Sequence, residues 1–387
     1  KRVRPFCSAF SRCGGCVLQH MNYEAQLAFK TDTVRENIKR IGKLDDVVIH
    51  EAIGMGNNLN YRNKAQYPVG LVKNKTAMGF YAPRSHEIVD NPTCGIQNET
   101  SDRVRAITRE FIEKNGISLY DENTGKGLVR HIVTRVGFKT GEVMVVAVIN
   151  GKDLPYREKL IDMLTAGIPG LKSVILNINT KNTNIILGDE NRIIYGSETI
   201  TDYIGRFRFN ISPLSFFQVN PVQTEVLYGK ALEYAGLTGN ETVFDLYCGI
   251  GTISLFLSDK ARKVYGVEVV EEAIADARRN ASINGVHNTE FICGEAEKII
   301  PDMYRQGIRA DVVVVDPPRK GCDETLLETL IDMQPKRIVY VSCNPSTLAR
   351  DLKYLSENGY RIVEVQPVDM FPHTAHVECV VRMQRKE

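Results

Sequence analysis

The sequence predicts an α/β fold in which a doubly wound, mostly parallel sheet over residues 211–387 follows a β-rich α+β region. Three observations carry this prediction. From about residue 222, short apolar runs alternate with segments of helical periodicity, the pattern of parallel strands covered by helices. The junction after the first of these runs is Asp245-Leu-Tyr-Cys-Gly-Ile-Gly251, whose glycines suit a tight turn and close approach of a ligand. Upstream, over 47–210, short apolar runs are separated by Gly, Asn and Lys turns.

In the later region strands are expected at Val243–Leu246, Val264–Val267, Glu290–Ile292, Val312–Val315, Ile338–Val341, Ile362–Val365 and Val377–Met383. Helices are expected at 251–258, 271–283, 295–306, 323–333 and 345–357. In the earlier region the runs are Val129–Val136, Val143–Ile149, Val174–Ile178 and Asn184–Leu187, with a helix over 102–115. Lys139–Gly141 and Asn150–Gly151 read as hairpin punctuation. Residues 22–42 form an amphipathic helix, with Tyr23, Leu27, Thr31, Val34, Ile38 and Ile41 at three- and four-residue steps. The expected organisation is a cysteine-bearing loop at 1–20, the helix within 21–46, a β-rich region at 47–210 and the doubly wound region at 211–387.

With 387 residues, 43% hydrophobic and 25% charged, core burial is not limiting. No apolar run approaches the ~20 residues of a membrane span. Net charge is only +2, but residues 1–44 hold nine Lys/Arg against three acids, Lys30 among the cations. A basic end suits a polyanionic partner, although a solvated basic face explains the charge equally. Nine cysteines are too few for a disulfide framework at this length and suit a reducing, cytoplasmic setting. The first residue is Lys, so the chain reads as a fragment with something missing upstream.

Chemistry-bearing residues cluster at strand ends. Glu268 ends the second strand, where an acid binds ribose hydroxyls, and Glu295 follows the third. The fourth strand ends Asp316-Pro-Pro-Arg-Lys-Gly321, which puts a carboxylate at the ligand edge of the sheet. The fifth ends Tyr340-Val-Ser-Cys343-Asn-Pro345. A thiol at a helix N-terminus is expected to have a depressed pKa and serve as a nucleophile, although a buried packing cysteine is the commoner role. Cys248, Cys293, Cys322 and Cys379 read mostly as packing residues. Glu378, near the start of the last strand, is a candidate general base. His373 and His376 read as structural.

Asp-x-x-x-Gly-x-Gly with a second-strand acid resembles the S-adenosylmethionine-dependent class I methyltransferases. A dinucleotide enzyme is the alternative, and the third glycine of that fingerprint is here Ser254. The sequence then resembles, over essentially its whole length, the RNA (uracil-5-)-methyltransferases. The motifs are Ser215-Phe-Phe-Gln-Val-Asn-Pro221, Asp245 to Gly251, Asp316-Pro-Pro-Arg319, Ser342-Cys-Asn-Pro345 and His376-Val-Glu378. The resemblance implies that Gln218, Tyr247, Thr252, Glu268, Glu295 and Asp316, with Gly249 and Gly251, line the S-adenosylmethionine site. It implies that Phe216, Gln218 and Asp316 face a target uracil, that Cys343 attacks it and that Glu378 takes the proton. Of Phe216 and Phe217, one is expected in the core. The resemblance also implies that the helix near 22–42 packs on the catalytic domain.

Cys7, Cys13, Cys16 and Cys94 could hold tetrahedral zinc or a [4Fe–4S] cluster, and spacing alone does not choose. The quartet resembles the iron–sulfur branch of that family, which in bacteria mostly acts on 23S ribosomal RNA. That implies a cluster of structural role and an RNA partner. The branch commonly carries a small β-barrel domain ahead of the first cysteine, and almost nothing precedes Cys7 here. The rival readings are a transfer RNA target, cytosine carbon 5 or adenine amino chemistry, and a non-catalytic iron–sulfur RNA-binding module. Nothing in the sequence suggests an obligate partner, so a monomer is expected.

Overall fold

The computed structural model describes residues 1–386. The chain divides into two compact units: Lys1–Asn22 with Asn57–Pro221, and Tyr23–Gly56 with Val222 to the carboxyl end.

The second unit is built on an eight-stranded sheet. Its order across the sheet is Val48–Ile49, Tyr360–Val368, Glu378–Arg385, Arg337–Ser342, Val312–Val315, Thr242–Leu246, Lys263–Glu268 and Thr289–Cys293. All neighbours are parallel except Glu378–Arg385, which runs antiparallel to both of its own. Val312–Val315 is four consecutive buried valines. β-Branched side chains with no polar face suit a strand covered by helices on both sides. The helix Pro345–Glu357 shows how the covering layer is specified. Pro345 starts it, Asn344 caps it by accepting from the Ser346 N–H at 3.1 Å, and Leu348, Leu352 and Leu355 bury one stripe. The helix Tyr23–Arg40 belongs to this unit, with Val34 and Ile38 in the same core as Leu348, Ala349 and Leu352.

The first unit holds a seven-stranded sheet ordered Ile88–Asp90, Lys75–Tyr81, Lys64–Val72, Val129–Val136, Val143–Ile149, Leu171–Ile178 and Glu190–Gly196. A two-stranded ribbon, Ile200–Ile204 with Phe207–Ile211, follows. The helices Glu99–Lys114 and Arg157–Gly167 bury Val104, Phe111, Leu160 and Leu164 in one core with Tyr67, Val145 and Leu176 of the sheet.

Two sequence expectations fail in this unit. Lys139–Gly141 does close a hairpin, but Asn150–Gly151 does not. Val143–Ile149 pairs parallel with Leu171–Ile178, so the helix Arg157–Gly167 makes a crossover between them. Asn184–Leu187 is not a strand. Its Ile185 and Ile186 carbonyls accept from the Asn179 side chain at 2.7 and 3.0 Å, Ile185 is exposed, and the strand forms later at Glu190–Gly196. A side-chain amide has replaced the ladder as donor to that backbone. No described helix is long and apolar enough to cross a membrane.

Candidate active site

In the second unit the chain leaves Thr242–Leu246 toward one edge of the sheet and returns to Val312–Val315 on its other side. Strand order reverses between these neighbours, and ligands of open α/β sheets bind beyond the carboxyl ends at such a point. The Asp245–Gly251 and Asp316–Gly321 segments emerge there.

The first segment is an opened turn. Tyr247, Gly249 and Gly251 all have left-handed backbones, with φ of 64°, 54° and 80°. A Cβ on Gly249 would meet nothing within 4 Å, so the turn faces open space. A Cβ on Gly251 would come within 3.0 Å of the Phe291 ring, so that glycine permits close packing. Glu268 closes the turn from the second strand, accepting from the Gly249 N–H at 3.2 Å and from Val270 at 3.0 Å. Asp245 is fully buried and accepts from Ser254, the residue at the third glycine position. Its other oxygen has no hydrogen-bond partner. Burial above all, then Asp316 and Glu268, push its carboxyl up to about 7 against the Ser254 bond. An orphaned acid oxygen and an open glycine turn fit a polar, cationic ligand such as S-adenosylmethionine. The other residues expected here are placed as follows. The Tyr247 hydroxyl donates to Glu297 at 2.8 Å, and Thr252 donates to the Tyr228 hydroxyl at 3.2 Å. Glu295 is exposed and paired with Lys298 at 2.6 Å.

Cys343 and Glu378 meet through strand register. Ser342 pairs with Cys379 across the antiparallel ladder, so the next step along each chain sets Cys343 opposite Glu378. Cys343 is half-buried and Glu378 is buried. Burial pushes Glu378 up to about 8, Asp316 adds to the shift and Arg319 opposes it. Burial likewise pushes Asp316 up to about 7. The depressed thiol expected at a helix N-terminus is not found. Burial first, then Glu378 and Asp316, raise Cys343, and only the Arg319 guanidinium and a backbone N–H pull it down.

Among the described residues, Arg319 is therefore the one cation acting on both Cys343 and Glu378, a placement the sequence did not reveal. Its loop is tied to the helix that follows Cys343. The Arg319 carbonyl accepts from Asn344 at 3.0 Å and Thr347 at 3.1 Å, and Arg350 donates to the Lys320 carbonyl at 2.9 Å. The spacing of polar residues on the first turns of that helix was the available signal.

The loop before Glu378 is anchored to the helix Tyr23–Arg40. Buried Lys30 pairs with buried Asp369 and donates to the Phe371 carbonyl at 3.0 Å. Tyr23 donates to Asp369 at 3.0 Å, and the His373 N–H donates to Gln26 at 2.9 Å. Lys30 is thus withdrawn from the basic surface inferred from charge counting. His373 is buried and His376 exposed. Cys248, Cys322 and Cys379 pack in the interior, but Cys293 is exposed, contrary to its packing assignment.

In the first unit, Phe216 is 70% exposed, whereas Phe217 is in the core beside Phe209. The Gln218 carbonyl accepts from the Asn63 side chain at 2.9 Å. Cys7, Cys13, Cys16 and Cys94 are all partly buried, and Cys16 is raised by burial and by its three fellow thiols to about 12. Each sulfur has an N–H donor or side-chain partner: Asn91 to Cys7 at 3.4 Å, Gly15 to Cys13 at 3.4 Å, Gln19 to Cys16, and Ile96 and Gln97 to Cys94. No group of three or more His, Cys, Asp or Glu among the described residues is placed to hold a metal ion.

The family model for tRNA (uracil-5-)-methyltransferases matches residues 144–386. A Caldanaerobacter subterraneus protein named as an uncharacterized RNA methyltransferase is 57% identical over 384 residues, 99% of this chain and 85% of its own. A Clostridium tetani protein of the same description is 55% identical, covering 99% and 83%. The Pyrococcus abyssi tRNA (uracil-54, C5)-methyltransferase, solved with S-adenosyl-L-homocysteine, is similar at a TM-score of 0.79 and 33% identity, covering 96% of this chain and 86% of that one. The family model and relatives matched at this identity over nearly all of this chain, together with an open glycine turn at the switch point and a thiol and carboxyl at the same sheet end, make the chain an S-adenosylmethionine-dependent RNA methyltransferase that belongs to the tRNA (uracil-5-)-methyltransferase family.

Proposed function

We propose that this enzyme methylates carbon 5 of a specific uridine in 23S ribosomal RNA. The observation that supports the chemistry is the Cys343–Glu378 pair at one sheet end, beside Asp316 and Arg319. Carbon 5 of uracil is a weak nucleophile. Cys343 gives up its proton to solvent, its thiolate adds to carbon 6, and the displaced π electrons form an enolate that makes carbon 5 nucleophilic. S-adenosylmethionine, when bound, supplies an electrophilic methyl group. Carbon 5 then carries both the methyl group and its original hydrogen. The Glu378 carboxylate removes that proton, the carbon–hydrogen electrons restore the double bond, and Cys343 leaves as thiolate. Arg319 favours the ionised forms of both Cys343 and Glu378. Gln218, Tyr247, Gly249, Gly251, Thr252, Glu268, Glu295 and Asp316 are assigned to the methyl donor, and Phe216, Gln218 and Asp316 to the uracil. The target is unpaired or flipped out, because a duplex hides the face of carbon 6.

We assign Cys7, Cys13, Cys16 and Cys94 to a structural [4Fe–4S] cluster. What supports it is the likeness of the quartet to the iron–sulfur branch and the chemistry of four partly buried thiols with N–H donors at their sulfurs, although the described side chains do not converge on a metal position. Iron and sulfide analysis of anaerobically purified protein tests the assignment, and zinc in stoichiometric amount refutes it. The enzyme is proposed to be a cytoplasmic monomer.

The Pyrococcus abyssi relative, named for a tRNA uracil, favours a second reading in which transfer RNA is the substrate. One experiment tests both. Ribosomal and transfer RNA containing 5-fluorouridine are incubated with enzyme and S-adenosylmethionine. Fluorine cannot leave as a proton, so a methylated adduct stays on Cys343, and mass spectrometry identifies the RNA. An adduct on neither RNA, with cofactor binding intact, refutes the uracil chemistry.

A further inference from the structure

Lys64 and Arg135 stand directly opposite one another on adjacent antiparallel strands of the first unit. Like charges in that position repel. Burial first, then Arg135 and Arg62, push the Lys64 ammonium down to about 8. Arg135 is only 4% exposed, and burial pushes its guanidinium down to about 10. No acid is among the groups acting on either side chain. The Nε atoms of Arg62 and Arg135 are buried without a hydrogen-bond partner.

These cations are built into the base of the segment that carries Phe216. Arg135 donates to the carbonyls of Pro213 at 3.0 Å and Ser215 at 2.6 Å. Between Arg62 and Lys64, Asn63 donates from its backbone to Val219 at 2.8 Å and from its side chain to Gln218 at 2.9 Å. Opposed cations on which no acid acts, at Lys64 and Arg135, with buried Nε donors of Arg62 and Arg135 lacking a partner among the described residues, suit an anion that offsets their desolvation. An exposed aromatic residue on the loop that Arg135 holds suits single-stranded nucleic acid, in which stacking and phosphate contacts alternate.

We propose that Arg62 and Lys64, with Arg135 buried behind them and adding its charge, bind a backbone phosphate of the RNA substrate, next to the nucleotide that Phe216 meets. This rests on the assignment of Phe216 to the target uridine. The phosphate holds the strand in register against Phe216.

The test is Lys64→Met in the full chain. The KM for RNA is expected to rise about tenfold, with kcat at saturating RNA changing far less. The slope of log Kd against log salt should shrink by about 0.7, one single-strand phosphate contact. Lys64→Arg should restore both. Because the variant removes a repelled, half-buried charge, its melting temperature should not fall. Calorimetry with S-adenosylhomocysteine should show unchanged affinity. An unchanged KM and salt slope overturn the proposal. Lost S-adenosylhomocysteine affinity with normal RNA binding overturns it too, by giving the cations to the cofactor carboxylate. The 5-fluorouridine adduct is read separately. Its absence from the wild type refutes uracil chemistry without altering the salt slope.

Discussion

Glu378→Gln is expected to make the protein progressively more stable than the wild type as pH rises. The carboxyl titrates near 4.5 when unperturbed and is pushed up to about 8 in the fold. Between those values the folded chain holds a proton that the unfolded chain has released. Unfolding therefore releases that proton, and this group's effect on stability becomes more unfavourable with increasing pH. The slope is at most about 1.4 kcal/mol per pH unit. From about pH 5.5 to pH 8 the wild type should lose roughly 3 kcal/mol relative to the glutamine variant. Taking the difference between the two proteins at each pH removes the contribution of every group they share. Urea unfolding followed by a probe in the second unit measures it. A difference that stays constant within about 0.5 kcal/mol across that range would show that Glu378 is not held protonated, and the reasoning from burial would fail.

Cys343→Ala should form no 5-fluorouridine adduct and lose methylation by at least about a thousandfold, while calorimetry shows S-adenosylhomocysteine still bound. Arg319→Ala removes the cation that pulls both Cys343 and Glu378 down. The alkaline rise of kcat should move up by about half a pH unit or more, and an unmoved pH profile would deny Arg319 that role. Gly251→Val places a side chain on a left-handed backbone and against Phe291. Denaturant unfolding should report a loss of about 2–4 kcal/mol. Lys30→Met leaves the buried Asp369 carboxylate without its cation, held only by the Tyr23 hydroxyl and the Phe371 N–H. It should cost about 3–5 kcal/mol, and adding Asp369→Asn should recover part of that.

Much of the second unit was legible because its signals are local. Alternation of buried runs with helical stripes marks each strand, and Val312–Val315 and Pro345–Glu357 fall on the residues expected. Glycines at 249 and 251 announce a left-handed turn wherever the chain goes next. The failures share one character. Asn184–Leu187 looks like a strand until Asn179 donates to its carbonyls. Asn150–Gly151 looks like a hairpin until the following strand lies parallel. In each, a partner distant in sequence or a crossover overrides local preference.

The sequence by itself determined the doubly wound fold, the glycine turn and the strand ends on which Asp316 and Cys343 stand, because periodicity and turn chemistry act over a few residues. Tertiary structure alone set Glu378 opposite Cys343, buried Lys30 against Asp369, and raised a thiol whose helix N-terminus suggested the reverse. Strand register joins residues remote in the chain, and a charge responds to all the neighbours and solvent around it. Neither quantity is written in a local stretch of residues.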